Sequence, residues 1–181
     1  MFRHLIPIAL ASILLSQGAT AADWPSFRGN PAMHGIASGP ITDELELKWQ
    51  VETKDAVRSS PVVAGNRVVF GSLDGSIRSV DRTTGKTHWI HQTDSELEAP
   101  PLLLADRVVV GTSDGDLLAL SLTDGDLLWT VPTEDRVLGA ANVVTPTNGP
   151  PLIVFGSYDF SLYGIDAKSG EVKWKLETEN Y

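Results

Sequence analysis

The chain has 181 residues, with 23 acidic against 14 basic side chains and a formal net charge of −9 at pH 7. No cluster of four or more basic residues occurs, so the Lys/Arg surplus that displaces counterions from phosphates is missing and nucleic-acid binding is excluded as a function class. The absence of cysteine removes disulfides, thiolate metal sites, a cysteine nucleophile and a lipidated N-terminal cysteine, and leaves packing as the source of stability.

The chain opens with Met1-Phe2-Arg3-His4, an apolar run from Leu5 to Leu15, and Gln17-Gly18-Ala19-Thr20-Ala21. A basic start, a short apolar core and a small-x-small ending predict a secretory signal peptide over residues 1–21, with the mature chain starting at Ala22 or Asp23. The apolar run is shorter than the roughly 20 residues of a membrane-spanning helix, and Pro7 interrupts it. A periplasmic or secreted protein with no stable membrane anchor is therefore expected. Residues 22–40 show neither helical nor strand periodicity and read as an irregular head.

From residue 41 onward the sequence repeats. Tryptophans fall at Trp49, Trp89, Trp129 and Trp174, spaced 40, 40 and 45 residues apart. Gly71 to Trp89, GSLDGSIRSVDRTTGKTHW, aligns without a gap with Gly111 to Trp129 and with Gly156 to Trp174. The five additional residues of the third copy fall in TPTNGPP, Thr145 to Pro151, where the other copies have Gly65-Asn66 and Ala105-Asp106. An insertion confined to a turn leaves the repeat intact.

Each copy reads as four short strands, in the first copy Pro61–Ala64, Arg67–Ser72, Ser76–Asp81 and Lys86–Thr93. The pairs between them, Gly65-Asn66, Asp74-Gly75 and Thr84-Gly85, suit tight hairpins. In the third strand one face carries Ile77 and Ser79, and the other Val80, with equivalents in the later copies. A sheet wetted on one side would alternate apolar with polar, so both faces are expected to be covered, with the small residues 79, 119 and 164 admitting the neighbouring sheet. Four-stranded antiparallel sheets of about 40 residues stacked face to face are the blades of an all-β propeller.

The predicted propeller covers residues 41–181, with blades at about 59–93, 99–133 and 139–178, preceded by one outer strand at Ile41 to Thr53. Three blades and a strand are fewer than the four to eight of a closed ring. The expectation is an incomplete ring: a fragment of a longer chain, or a chain that self-assembles.

Candidate chemistry is sparse. Asp114/Asp116 and Asp124/Asp126 flank glycines in separate turns and do not supply the six to eight converging oxygens that calcium takes. His88 and His91, three apart on a strand, point to opposite faces and cannot readily chelate one metal. His34 has no second ligand nearby in the sequence, and no serine sits in a nucleophile-elbow context.

The glycine-to-tryptophan segments resemble the repeat of pyrroloquinoline-quinone dehydrogenases and of their non-enzymatic relatives. Asp81-Arg-Thr-Thr-Gly85-Lys-Thr-His-Trp89 and Asp166-Ala-Lys-Ser-Gly170-Glu-Val-Lys-Trp174 are similar to the family's tryptophan-docking motif, and the second copy departs with Ser121 in place of aspartate. The head, Asp23-Trp24-Pro25-Ser26-Phe27-Arg28-Gly29-Asn30, resembles the start of mature quinoproteins. The resemblance implies blade-docking roles for Trp49, Trp89, Trp129 and Trp174 and for Gly85, Gly125 and Gly170. It implies no cofactor, because no counterpart of the dehydrogenases' calcium-bound quinone site, aspartate base or adjacent-cysteine disulfide is identifiable.

The predicted function is a secreted or periplasmic scaffold binding a protein partner, similar in layout to the propeller of the outer-membrane assembly machinery. The alternative is a fragment of a quinone-dependent alcohol or sugar dehydrogenase. In a propeller the loops Lys54–Arg58, Asp94–Glu98 and Glu134–Leu138 gather at one end with the turns near Asp74, Asp114 and Asp159. Arg58, Glu98 and Arg136 mark this candidate partner rim.

Overall fold

A computed structural model describes residues 23–37 and 44–178. The predicted signal peptide, its cleavage site and residues 41–43 of the expected outer strand lie outside the described residues. The described chain is all β. Twelve strands form three four-stranded antiparallel sheets: β1 (Val62–Ala64), β2 (Arg67–Gly71), β3 (Ser76–Asp81) and β4 (Thr87–Gln92); β5 (Leu102–Leu103), β6 (Arg107–Gly111), β7 (Asp116–Ser121) and β8 (Leu127–Pro132); and β9 (Asn142–Val144), β10 (Leu152–Ser157), β11 (Ser161–Asp166) and β12 (Val172–Glu177). Each sheet is a meander whose spatial order follows the sequence. These are propeller blades, and the described residues do not close a ring.

Valine, isoleucine and leucine dominate the middle strands because both faces of a blade are buried. β6 is buried along its whole length, and Leu117, Leu118, Ala119 and Leu120 of β7 are all inaccessible or nearly so. One core cluster joins the first two blades through Val62, Val69, Ile77 and Trp89 against Leu103, Val108, Val110 and Leu120. A second joins the second and third through Leu102, Val109, Leu117 and Val131 against Ile153, Phe155, Tyr163 and Ile165.

The small residues of the third strands also face a partner within their own blade. Ser79, Ala119 and Gly164 stand directly opposite the tryptophan of their own blade, in the pairs Ser79↔Trp89, Ala119↔Trp129 and Gly164↔Trp174. In the third blade the indole lies across that position. A Cβ on Gly164 would come within 2.0 Å of Trp174 Cε2, so here it is the blade's own ring, not the neighbouring sheet, that needs the room. In each blade the register slips immediately after this pair.

Residues 44–53, the described part of the expected outer strand, pair with no strand among the described residues. They run instead beside the first blade, where Arg78 Nη1 donates to the Glu52 carbonyl (2.8 Å).

The irregular head crosses the edges of the first strands of all three blades. Trp24 and Val63 exchange both backbone hydrogen bonds (2.7 and 2.9 Å). The Pro25 carbonyl accepts the Leu103 N–H (2.7 Å), and the Pro31 carbonyl accepts Asn142 Nδ2 (2.8 Å). Otherwise unpaired edge donors are satisfied in this way.

Candidate functional site

In each blade a tryptophan from the preceding part of the chain lies on a glycine of the last turn: Trp49 from the stretch before the first blade, and Trp89 and Trp129 from the last strands of the first and second. A Cβ on Gly85 would sit 2.8 Å from Trp49 Cδ2, one on Gly125 2.7 Å from Trp89 Cε3, and one on Gly170 2.8 Å from Trp129 Cδ2. All three glycines also have positive φ, 70°, 82° and 76°, so space and backbone conformation both bar a side chain. The indole N–H of Trp49 donates to the Arg82 carbonyl (2.9 Å) and that of Trp89 to the Leu122 carbonyl (3.0 Å). Trp129 Nε1 is buried without a partner. The counterpart carbonyl, that of Ala167, receives Arg107 Nη1 (3.1 Å), which also reaches the Lys168 carbonyl (2.7 Å). Trp174 is 37% exposed, and among the described residues no glycine of a further blade faces it.

Asp81 organises the turn that presents Gly85. Its Oδ1 accepts from Thr84 Oγ1 (2.8 Å), Thr84 N (2.7 Å) and Thr83 N (3.0 Å), which hold the carboxyl below its ordinary range. Asp166 repeats the arrangement with Ser169 and Lys168. In the second blade the two chemistries trade places. Ser121 stands at the aspartate position and Asp124 at the hydroxyl position, where the Ser121 side chain lowers the Asp124 carboxyl.

At the opposite end of each blade the inter-blade loops interlock with the turns between second and third strands. Leu73 N donates to the Ala56 carbonyl (3.0 Å), Ser113 N to Glu96 (3.0 Å) and Tyr158 N to Arg136 (2.9 Å). Each of the later two loops is also tied back to the preceding blade, Leu97 N to the Ser72 carbonyl (3.3 Å) and Val137 N to Thr112 (3.0 Å). Asp74 caps the first loop: it accepts Lys54 N (2.9 Å) and Ser76 N (2.9 Å) and pairs with Arg78 Nη2 (3.0 Å). Burial pushes its carboxyl upward, but the hydrogen bonds from Ser76, Lys54 and Ser72 outweigh it and the pKa ends below the usual carboxylate range. Asp159 follows the same pattern, with burial opposed by the Tyr163 hydroxyl, the Glu134 N–H and Lys175.

This rigid rim displays the sequence-predicted residues at its surface. Arg58 and Glu98, from successive loops, approach to 3.6 Å. Arg136 stands apart from them, its guanidinium over the Tyr158 ring (4.6 Å) and 3.5 Å from Asp135. Sequence reasoning missed Tyr158 and Phe160, half exposed on the third turn. The signal was in the repeat alignment, where Phe160 replaces Gly75 and Gly115.

Two open clefts lie at the other end, at the junctions of successive blades. One, of about 690 Å³, is lined by Pro25, Arg67, His88, Leu103 and Leu122, and the next, of about 310 Å³, by Leu104, Arg107, Val143 and Pro151. His91 turns away from His88, with Nδ1 2.9 Å from the Gly125 carbonyl. His34 lines a recess over the head with Trp24, Phe27 and Arg28. Among the described residues no three His, Asp or Glu side chains converge as a metal site, and no helix is long and apolar enough to cross a membrane.

The family model described as outer membrane protein assembly factor BamB matches residues 43–180. No curated protein sequence matches the chain. Among solved structures, BamB from Moraxella catarrhalis is similar with a TM-score of 0.61 at 23% identity, over 72% of this chain and 39% of that one. The quinohemoprotein alcohol dehydrogenase of Comamonas testosteroni is similar at 0.68 and 22% identity, over 87% of this chain and 28% of that one. The computationally designed Ika4 protein gives 0.63 and 21%, over 75% and 81%. The chain thus spans well under half the length of the two natural proteins, one of them an enzyme by name and the other an assembly factor.

Proposed function

We propose, from the premise that this chain belongs to the family of outer membrane protein assembly factor BamB, that it is a non-catalytic scaffold, exported to the periplasm or beyond, which binds a protein partner through its loop rim. The supporting observation is the interlocked rim. Backbone bonds from two blades fix the later loops, so Arg58, Glu98 and Arg136 are held out on a frame that loses little freedom on binding. The tryptophan–glycine contacts keep the blades in register beneath it, and the apolar run at Leu5 to Leu15 provides the export signal.

The test uses the purified mature chain and the soluble extract of the compartment to which it is exported. A protein retained by the wild type and lost from the Arg58→Glu/Arg136→Glu variant supports the rim as the binding face. Saturable binding of pyrroloquinoline quinone with calcium, accompanied by dye-linked alcohol or aldose oxidation, would replace the scaffold reading with an enzymatic one.

A further inference from the structure

Arg67 and Arg107 each open the second strand of their blade, preceded by Asn66 in the first and by Asp106 in the second. In the second blade the guanidinium is fully engaged. Nε and Nη2 take the two oxygens of Asp106 (2.8 and 2.9 Å), and Nη1 reaches across the junction to the carbonyls of Ala167 (3.1 Å) and Lys168 (2.7 Å). Arg67 is half-buried and donates from Nη1 to Ser79 Oγ (3.2 Å) and from Nη2, at 3.5 Å, to the Thr123 carbonyl. No acid among the described residues forms an ion pair with it. The edge of the guanidinium that grips a carboxylate in one blade grips none in the other.

The difference traces to the residue across the hairpin, Asp81 opposite Arg67 and Ser121 opposite Arg107. Asp81 Oδ1 is committed to Thr83 and Thr84, and its Oδ2 accepts from Asn66 Nδ2. An aspartate at position 66 would set two carboxylates against each other, so the amide belongs there and Arg67 goes without the partner that Ser121 permits in the second blade.

Arg67 lines the larger junction cleft, of about 690 Å³, together with His88 and the apolar surfaces of Pro25, Leu103, Leu104 and Leu122. Both blades that bound this cleft are described in all four strands. The next cleft, with Asp106, Pro150 and Pro151 in its lining, is reduced to about 310 Å³. Apolar walls with a few placed polar groups are the makeup of a small-molecule site.

We infer that this cleft binds a carboxylate carried on a small apolar body. Nε and Nη2 of Arg67 take the carboxylate as those of Arg107 take Asp106, and the body lies along Leu103, Leu104 and Leu122. The planar fork of a guanidinium matches the two oxygens of a carboxylate, which an ammonium does not. Asp81 across the hairpin weakens the longer-range attraction, so selection rests on the fork and the apolar walls rather than on net charge. The cleft lies at the end opposite the loop rim, and its occupancy is independent of the scaffold reading.

The experiment titrates the purified mature chain calorimetrically with octanoate, with N-acetyl-leucyl-leucine and with 1-octanol, which keeps the apolar body but lacks the carboxylate. Expected are saturable binding of at least one of the two carboxylates, and affinity about tenfold or more weaker for 1-octanol and for that carboxylate with Arg67→Met and Arg67→Lys. Lys173→Met, which removes an exposed cation of β12, should change nothing. A preference for octanoate assigns the site to free acids, and one for the dipeptide to a peptide end; either supports the inference. Amide NMR shifts of the wild type locate the ligand without any variant, and should move at Leu104 and Leu122. Failure of both carboxylates to bind, equal affinity for 1-octanol, affinity unchanged in Arg67→Met, or shifts confined to residues outside the cleft would each overturn it.

Discussion

Trp89 lies flat against Gly125 of the following blade, so close that a Cβ there would be 2.7 Å from the indole, and its N–H reaches the Leu122 carbonyl at 3.0 Å. Ring packing and a hydrogen bond are combined in one contact. Trp89→Ala is expected to cost about 3–5 kcal/mol, the range for emptying a buried aromatic site, and Trp174→Ala much less, since Trp174 is 37% exposed. The hydrogen bond can be separated from the ring. Trp89→Phe should lose about 1 kcal/mol more than Trp129→Phe, because Trp129 Nε1 has no partner to lose. Urea denaturation midpoints of the four variants decide this.

The exchange of acid and hydroxyl between Ser121 and Asp124 predicts a non-additive pair. Ser121→Asp alone places two carboxylates in one turn and should destabilise. Ser121→Asp/Asp124→Thr rebuilds the arrangement of Asp81 and Thr84 and should recover the loss. A double-mutant cycle with a coupling of at least about 0.5 kcal/mol is expected, and additive values would count against the paired role.

Acid stability should follow the rim aspartates. Asp74 has a folded pKa below its unfolded value near 3.9, because hydrogen bonds from Ser76, Lys54 and Ser72 outweigh the upward push of burial. A depressed carboxylate contributes stability that is fully present above the unfolded value and is lost as pH falls through the folded one. The chain should therefore hold its urea midpoint down to about pH 5 and lose it below about pH 4. Asp74→Asn should be weaker at pH 7 and show a shallower acid limb. Parallel limbs in the two proteins would remove Asp74 from the account.

Arg67 and Arg107 occupy the same place in successive blades but do different amounts of work. Arg107 is 9% exposed and bonds two carbonyls of the third blade, whereas Arg67 bonds Ser79 Oγ of its own blade (3.2 Å) and reaches the second blade only at the Thr123 carbonyl, at 3.5 Å. Arg107→Met should cost about 1.5–3 kcal/mol, the range for a hydrogen bond to a charged group. Arg67→Met should cost less, about 1 kcal/mol for the hydrogen bond to Ser79. Equal melting temperatures for the two variants would show that the junction does not depend on this guanidinium.

Much of the blade was legible because hairpins are local. Gly65-Asn66 and Asp74-Gly75 set the turns, and the expected strands at Arg67–Ser72 and Ser76–Asp81 match β2 and β3 to within a residue. What depends on distant partners was less legible. Residues 44–53 have a strand-like pattern, but a strand needs an edge to pair with. Ser79, Ala119 and Gly164 read as small for a neighbour's sake, while their Cα partners across the hairpin are tryptophans of the same sheet. The head escaped prediction because its ties use the carbonyls of Pro25 and Pro31, groups that every residue carries. At the rim, Arg58 and Glu98 could be placed from the loop count alone. The left-handed Phe160 required the three turns to be compared position by position.

The head also has a consequence in time. It is synthesised before any blade, yet its anchors lie ever further along the chain, at Val63, Leu103 and finally Asn142, the last bond spanning 111 residues. Contacts across such separations close loops late and slow the final step of folding. A segment made before the blades is thus the last to be fastened. A nascent chain arrested before Asn142 would hold its head at two points, with the third sheet edge still to come.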